Sequence, residues 1–253
     1  MRLVPVVLLC LSSAGLSNAG IIFFINDQPG FNLQAGSLLL RGIEDFESST
    51  LGPNQITILP DPLAPGVANN PFPTGTNPAT GLTVQSNTLG GSASAPSPRG
   101  SNGLATASAG FLSTPSDQIS NNSPQDSFDM LFALPSGAGV RAVSFIPLFF
   151  PDSGFATGTI TIQAYGPLNT LLSSTTITGV DYVNAGSFVG IIATGADTIV
   201  RINLWDGSTG SNYQGADDIA VYSDIEAVPE PSTLLLSGLG MLLAIGWLRA
   251  LRH

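Results

Sequence analysis

Thr159-Ile160-Thr161-Ile162-Gln163-Ala164-Tyr165 alternates polar and apolar residues without a break. In an extended chain successive side chains point to opposite faces, so Ile160, Ile162 and Ala164 share one face and Thr159, Thr161, Gln163 and Tyr165 the other. The stretch therefore reads as a strand with one face on a core. Its neighbours read the same way. Phe128 to Leu134 places residues 128, 130, 132 and 134 on one side and runs into the turn 135–139; Val140 to Phe150 is a second strand, bent or ended at Pro147. Leu171–Thr178, Ser187–Thr194, Thr198–Trp205 and Asp218–Tyr222 continue the series, and Ile43-Glu44-Asp45-Phe46-Glu47 reads as the first strand. Short alternating strands at such intervals predict an all-β domain, a jelly-roll-like β-sandwich. Outside the two termini no window shows sustained helical periodicity.

Composition agrees. Charged residues are 9% of the chain, while Gly and Pro number 29 and 19, which favours strands joined by turns. Met1 to Ala19 pairs a positive Arg2 with an apolar run and the small residues Ser17-Asn18-Ala19, the pattern of a secretory signal peptide cleaved after residue 19. The secreted body is then 20–227, one β-sandwich domain with Pro/Gly-rich loops around 53–127, where only Gly81–Gln85 reads as a firm strand. Those loops either decorate the sandwich or form a disordered linker. The body holds four Arg, no Lys, His or Cys, and sixteen Asp or Glu, a net charge of −12. Such acidity repels phosphate backbones, so nucleic acid is not an expected partner. Without His, Cys or Lys, the body has no Ser-His-Asp triad, no Cys nucleophile, no His or Cys zinc site and no Schiff base. Carboxylate pairs, as in glycoside hydrolases, are the enzymatic route left.

The chain ends Ala227-Val-Pro-Glu-Pro-Ser-Thr, an apolar run 234–248, and a basic end 249–253 with Arg249, Arg252 and His253. Fifteen helical residues reach about 22 Å, a marginal transmembrane helix against a hydrocarbon core of about 30 Å. The arginines hold that end on the cytoplasmic side and place the acidic body outside. Pro229 and Pro231 keep the preceding segment extended, available to a processing enzyme. The whole pattern, 228–253, resembles the PEP-CTERM sorting signal of Gram-negative bacteria, with Val228, Pro229, Glu230 and Pro231 as the sorting motif. The resemblance implies an exosortase as partner in transit, together with the secretion machinery and the membrane, and a destination at the cell envelope surface or outside the cell, in association with exopolysaccharide. It covers about a tenth of the chain and leaves the body undefined.

In many jelly-roll carbohydrate-binding modules a first strand ending in Phe-Glu and a last strand opening with Asp-Asp are neighbours whose carboxylates hold a structural calcium. The body is similar at Phe46-Glu47 and Asp217-Asp218-Ile219. That similarity implies Glu47 and Asp218 as calcium ligands, with Asp45 and Asp217 as further candidates, since calcium takes six to eight oxygens from carboxylates and carbonyls. Solvent-facing acids at strand ends are the plain alternative. Trp205 and Tyr213 bracket the polar stretch 205–214 and are the candidates for stacking on a glycan; Trp205 could equally cap the core. Asn121-Asn122-Ser123 matches a glycosylation triplet. The expected function is a non-catalytic structural or adhesive surface protein. The alternatives are a carbohydrate-binding module with a defined glycan ligand and a carboxylate-dependent glycan hydrolase.

Overall fold

The structure, a computed structural model, describes residues 20–48, 50–64, 81–90, 96–100, 102–109, 116–134, 140–151, 158–180, 187–207 and 212–224. The expected signal peptide (1–19), the sorting motif at Val228–Pro231 and the apolar run 234–248 lie outside them. Among the described residues no helix is long and apolar enough to cross a membrane.

The strands are β1 (Gly20–Ile25), β2 (Leu39–Glu44), β3 (Ile56–Leu59), β4 (Leu82–Asn87), β5 (Leu104–Ala107), β6 (Gln118–Asn121), β7 (Ser127–Phe132), β8 (Val140–Pro151), β9 (Gly158–Gly166), β10 (Thr170–Val180), β11 (Val189–Thr194), β12 (Arg201–Trp205) and β13 (Asn212–Ser223). They pair antiparallel in two sheets. One has the order β10-β9-β12-β7-β4; the other runs β1-β11-β8-β13-β6-β5-β3, with β2 also on β13. This is a jelly-roll-like sandwich. Alternation explains why it closes: Phe128, Met130, Ile160, Ile162, Ile202 and Leu204 from the first sheet meet Val143, Phe145, Ile191, Ala216 and Val221 from the second in one buried cluster. Each large apolar side chain removed from water contributes about 1.5–3 kcal/mol.

Three features depart from the sequence expectation. The helix α1 (Gln28–Ala35) was not expected, because its eight residues present only Phe31 and Ala35 to a buried surface. It covers the outer side of the eight-stranded sheet, where Phe31 meets Phe24, Phe188 and Tyr222 edge-on at 5.6–5.9 Å. Gly190 makes that approach possible, since a Cβ there would stand 2.3 Å from the Phe31 ring. Next, β1 precedes the strand expected to be first, and β2 ends at Glu44, before Asp45-Phe46-Glu47. Lastly, β8 continues through Pro147: β11 pairs with it only as far as Phe145, and beyond that β13 is its one partner, where a missing N–H is tolerated.

The stretch 53–127 contributes more than one strand. β3, β5 and β6 have four residues each and join the eight-stranded sheet through β13. Their brevity and their small or polar residues (LATA, QISN) hide them from periodicity.

A polar sheet face and an acidic corner

The outward side of the five-stranded sheet is ordered in rows. Backbone register sets Gln85 beside Asp129, Asp129 beside Asn203, Asn203 beside Gln163 and Gln163 beside Ser174, so one polar row crosses all five strands. The row on one side holds Thr83, Leu131, Arg201 and Tyr165. The row on the other holds Asn87, Ser127, Trp205, Thr161 and Thr176. An aromatic ring therefore stands on each side of the polar row, at Tyr165 and at Trp205.

The middle of this face is closed and densely bonded. Asn203 Nδ2 donates to Asp129 Oδ1 at 2.8 Å and to Ser127 Oγ at 2.7 Å, and Asn87 Nδ2 donates to Asp129 Oδ2 at 2.9 Å. The Arg201 guanidinium lies 3.6 Å from Asp129 and 3.9 Å above the Tyr165 ring. Tyr165 donates to Gln163 Oε1 at 3.0 Å. Burial pushes the Asp129 carboxyl up to about 6 against the pull of Arg201, Asn203 and Asn87. Gln85 Nε2 and Asn203 Oδ1 are buried without a partner among the described residues, a costly arrangement for polar atoms out of water. The sequence set Tyr165 on the outward face, and it is there, yet it is fully buried. Alternation tells which face a residue takes but not whether that face is covered.

Trp205 is half-buried on this face. Its indole lies 3.5 Å from where a Cβ of Gly90 would stand, so the turn after β4 rests on one side of the ring. Tyr213 is elsewhere. In β13 Gln214 is buried beside Asn121, and Ala216, on the same side of the strand, belongs to the core, so the pleat turns Tyr213 outward from the eight-stranded sheet. The two aromatics expected to share a glycan loop thus sit on opposite faces, and β13 already begins at Asn212. Asn121 is fully buried and donates to Ser123 O at 3.0 Å and Asp126 O at 2.6 Å, so the glycosylation triplet is closed to modification.

The four expected calcium ligands do come to one corner, where β2 lies beside β13 with Glu44 opposite Ile219. Glu44 accepts from Phe46 N at 3.1 Å and Asp45 from Glu47 N at 3.2 Å, with Phe46 at φ 56 turning the chain. Glu47 Oε1 accepts from Asp117 N at 2.8 Å. Across the corner Asp217 accepts from Ser116 Oγ at 2.5 Å and from Asp218 N at 2.8 Å. A register shift between Asp217 and Ala220, with Asp218 at φ 50, re-aims this part of β13. Burial raises Asp217 to about 7 and Glu44 to about 7, and Asp218 and Glu47 also stand above the usual carboxylate range. Neighbouring carboxylates add to each shift, and among the described residues no cationic side chain offsets them. Gln118 falls opposite Asp217, one step beyond the Ile119–Ala216 pair, and both its amide atoms are buried without a partner among the described residues. Among the described residues no three His, Cys, Asp or Glu side chains converge tightly enough to hold a metal as they stand.

Residues 227–250 match the family model of the PEP-CTERM protein-sorting motif. The tail is a PEP-CTERM sorting signal. A protein with this signal is exported and sorted by an exosortase to the cell envelope surface. No curated protein matches the chain. Among solved structures the chain is similar to an adhesin domain of Lys-gingipain from Porphyromonas gingivalis, at 17% identity and a TM-score of 0.33, over 74% of this chain and 99% of that one. A family 29 carbohydrate-binding module matches at 12% identity and 0.31, over 69% and 98%. The family 11 module from Clostridium thermocellum, in complex with a β-1,3-1,4-mixed-linked tetrasaccharide, matches at 10% and 0.26, over 74% and 98%.

Proposed function

We propose that this exported protein is a non-catalytic structural or adhesive component of an exopolysaccharide layer, and that it holds glycan on the outward face of its five-stranded sheet. The observation that carries this reading is the polar row Gln85–Asp129–Asn203–Gln163–Ser174 between Tyr165 and Trp205, whose buried centre holds the solvent-reaching Gln163 and Ser174 in line beside Trp205. Gln163, Ser174 and the half-buried Trp205 reach solvent; sugar hydroxyls both donate and accept, so they can bond these polar side chains while a pyranose ring lies against the Trp205 indole. Asp129 is the one carboxylate in the three rows. A glycoside hydrolase needs two, which favours binding over catalysis.

Calcium at the corner is part of the proposal. Glu47 and Asp218, aided by Asp45 and Asp217, would supply the charge and the Gln118 amide a neutral oxygen. A cation there relieves the mutual repulsion of four carboxylates, and it would draw together side chains that stand apart without it.

The test is a glycan array probed with the exported chain and its Trp205→Ala and Gln163→Ala variants. Saturable binding that both variants weaken is the expected result. Binding at no glycan refutes the reading, and release of reducing ends from a bound glycan would replace it with the hydrolase.

A further inference from the structure

The register shift in β13 sets Asp218 and Ile219 against the single residue Phe145 of β8. A bulge of this kind bends its strand and is common beside binding sites. Over it, on the outer side of the eight-stranded sheet, lies a cavity of about 530 Å³, within the range of small-ligand sites. α1 overhangs one side with Gln28 and Asn32, four residues apart and so on one side of the helix. Phe188, just before β11, and Tyr222 of β13 line another side, and both are steadied by Phe31, whose ring meets each edge-on at 5.6 Å. Ser144 of β8 is buried at the floor, and its hydroxyl hydrogen-bonds that of Tyr222. Ile146 and, from β2, Ile43 complete the wall. Since α1 buries only Phe31 and Ala35, it adds little to the core. What its seat on Gly190 does is hold two amides and two aromatic rings around one space.

We propose that this cavity binds a neutral pyranose unit, at a site separate from the five-stranded sheet and independent of what that sheet holds. The lining selects the ligand. The amides of Gln28 and Asn32 and the hydroxyls of Ser144 and Tyr222 each donate and accept, and beside them Ile43, Ile146 and Phe188 offer hydrocarbon and an aromatic ring. A pyranose has the same two sides, a rim of hydroxyls that donate and accept and a C–H face that packs on apolar and aromatic surface. A purely apolar ligand would strip water from four polar side chains and return no hydrogen bond. Charge excludes an anion: among the described residues no cationic side chain lines the cavity, Asp218 stands in its wall, and the body carries a net −12. Uronic acids and sulfated sugars are therefore rejected. Walls from a helix and three strands suit a short saccharide or a chain end, where the open sheet face suits the flank of a longer chain.

The test uses the full-length chain in a detergent without a sugar headgroup, as wild type and with Trp205→Ala, which takes the ring from the other face so that the two sites are read apart. The probes are the methyl pyranosides of glucose, galactose and mannose, with the uronides of the same configurations as charged counterparts, and binding is read by saturation-transfer NMR. At least one neutral pyranoside is expected to bind saturably to both chains, and its uronide about tenfold more weakly. Asn32→Ala and Gln28→Ala each remove one exposed amide, and each is expected to weaken binding about threefold to tenfold at an unchanged melting midpoint. Binding of no neutral pyranoside overturns the proposal. So does a uronide that binds as well as its neutral counterpart. Binding lost with Trp205, or left untouched by both amide variants, would place the sugar elsewhere and overturn it too.

Discussion

Replacing Asp217 by Asn should stabilise the protein in the absence of calcium, and the gain should vanish on acidification. Asp217 stands at about 7 against an ordinary 3.8, and Glu44 at about 7 against 4.5, with burial as the main cause of both. Each acid holds its proton more tightly in the folded chain than in the unfolded one. The stabilisation from that proton is therefore complete below the unfolded values and lost as pH rises through about 7. At about 1.4 kcal/mol per pH unit for each group, and allowing for the solvent that still reaches them, the pair should cost the folded state about 3 kcal/mol between pH 5 and pH 8. For a domain of this size that is about 6–12 °C in melting midpoint. Asp217→Asn removes one of the two charges, keeps an oxygen for the Asp218 N–H, and should recover about half of that at pH 8 and almost none at pH 5. The assay is a series of thermal melts from pH 8 to pH 5 in chelator, repeated with saturating calcium. Calcium should raise the wild-type midpoint at pH 8 and raise the Asp217→Asn midpoint less, since protons and calcium compete for one corner. A wild-type midpoint that is flat or falls from pH 8 to pH 5 in chelator would refute the burial argument. No response to calcium would refute the metal.

Other perturbations test the packing and the polar face. Arg201→Met leaves the buried Asp129 without its counter-charge and should cost about 3–5 kcal/mol at pH 8; denaturant titration should find part of this returned at pH 5, where Asp129 takes a proton. Gly190→Ala drives a methyl to 2.3 Å from the Phe31 ring. The helix α1 must shift or lift, and hydrogen exchange over Gln28–Ala35 should quicken while the five-stranded sheet keeps its protection. Phe31→Ala empties the same contact from the other side and should cost about 3–5 kcal/mol, read as a lower denaturation midpoint.

Much of the sandwich can be read from the chain because β7, β9 and β12 each have one face on the core and keep strict alternation. The same alternation marks Asp129, Asn203, Gln163 and Arg201 as outward residues. Pattern alone makes outward polar residues look solvated, so the buried network they form is visible only once register sets four strands side by side. The acidic corner was approachable from Phe46-Glu47 and Asp217-Asp218, yet Gln118 and Asp117 reach it through β6, a strand too short and too polar to be recognised. α1 was missed for a related reason. A helix with two buried residues leaves no periodic trace, and its seat depends on Gly190, far away in sequence. Tyr213 shows another limit, since nearness to Trp205 along the chain does not tell that the pleat of β13 turns it outward from the other sheet.

Trp205 is the one tryptophan of the body, the other, Trp247, lying in the sorting tail. In the chain freed of residues 228–253 its fluorescence therefore reports on the polar face alone. The most direct measurement is a titration of the surface-sorted protein with exopolysaccharide from the cells that export it. A saturable shift in Trp205 emission, abolished by Gln163→Ala at unchanged melting midpoint, is the result this account predicts; binding that leaves the emission unchanged, or no binding, would contradict it.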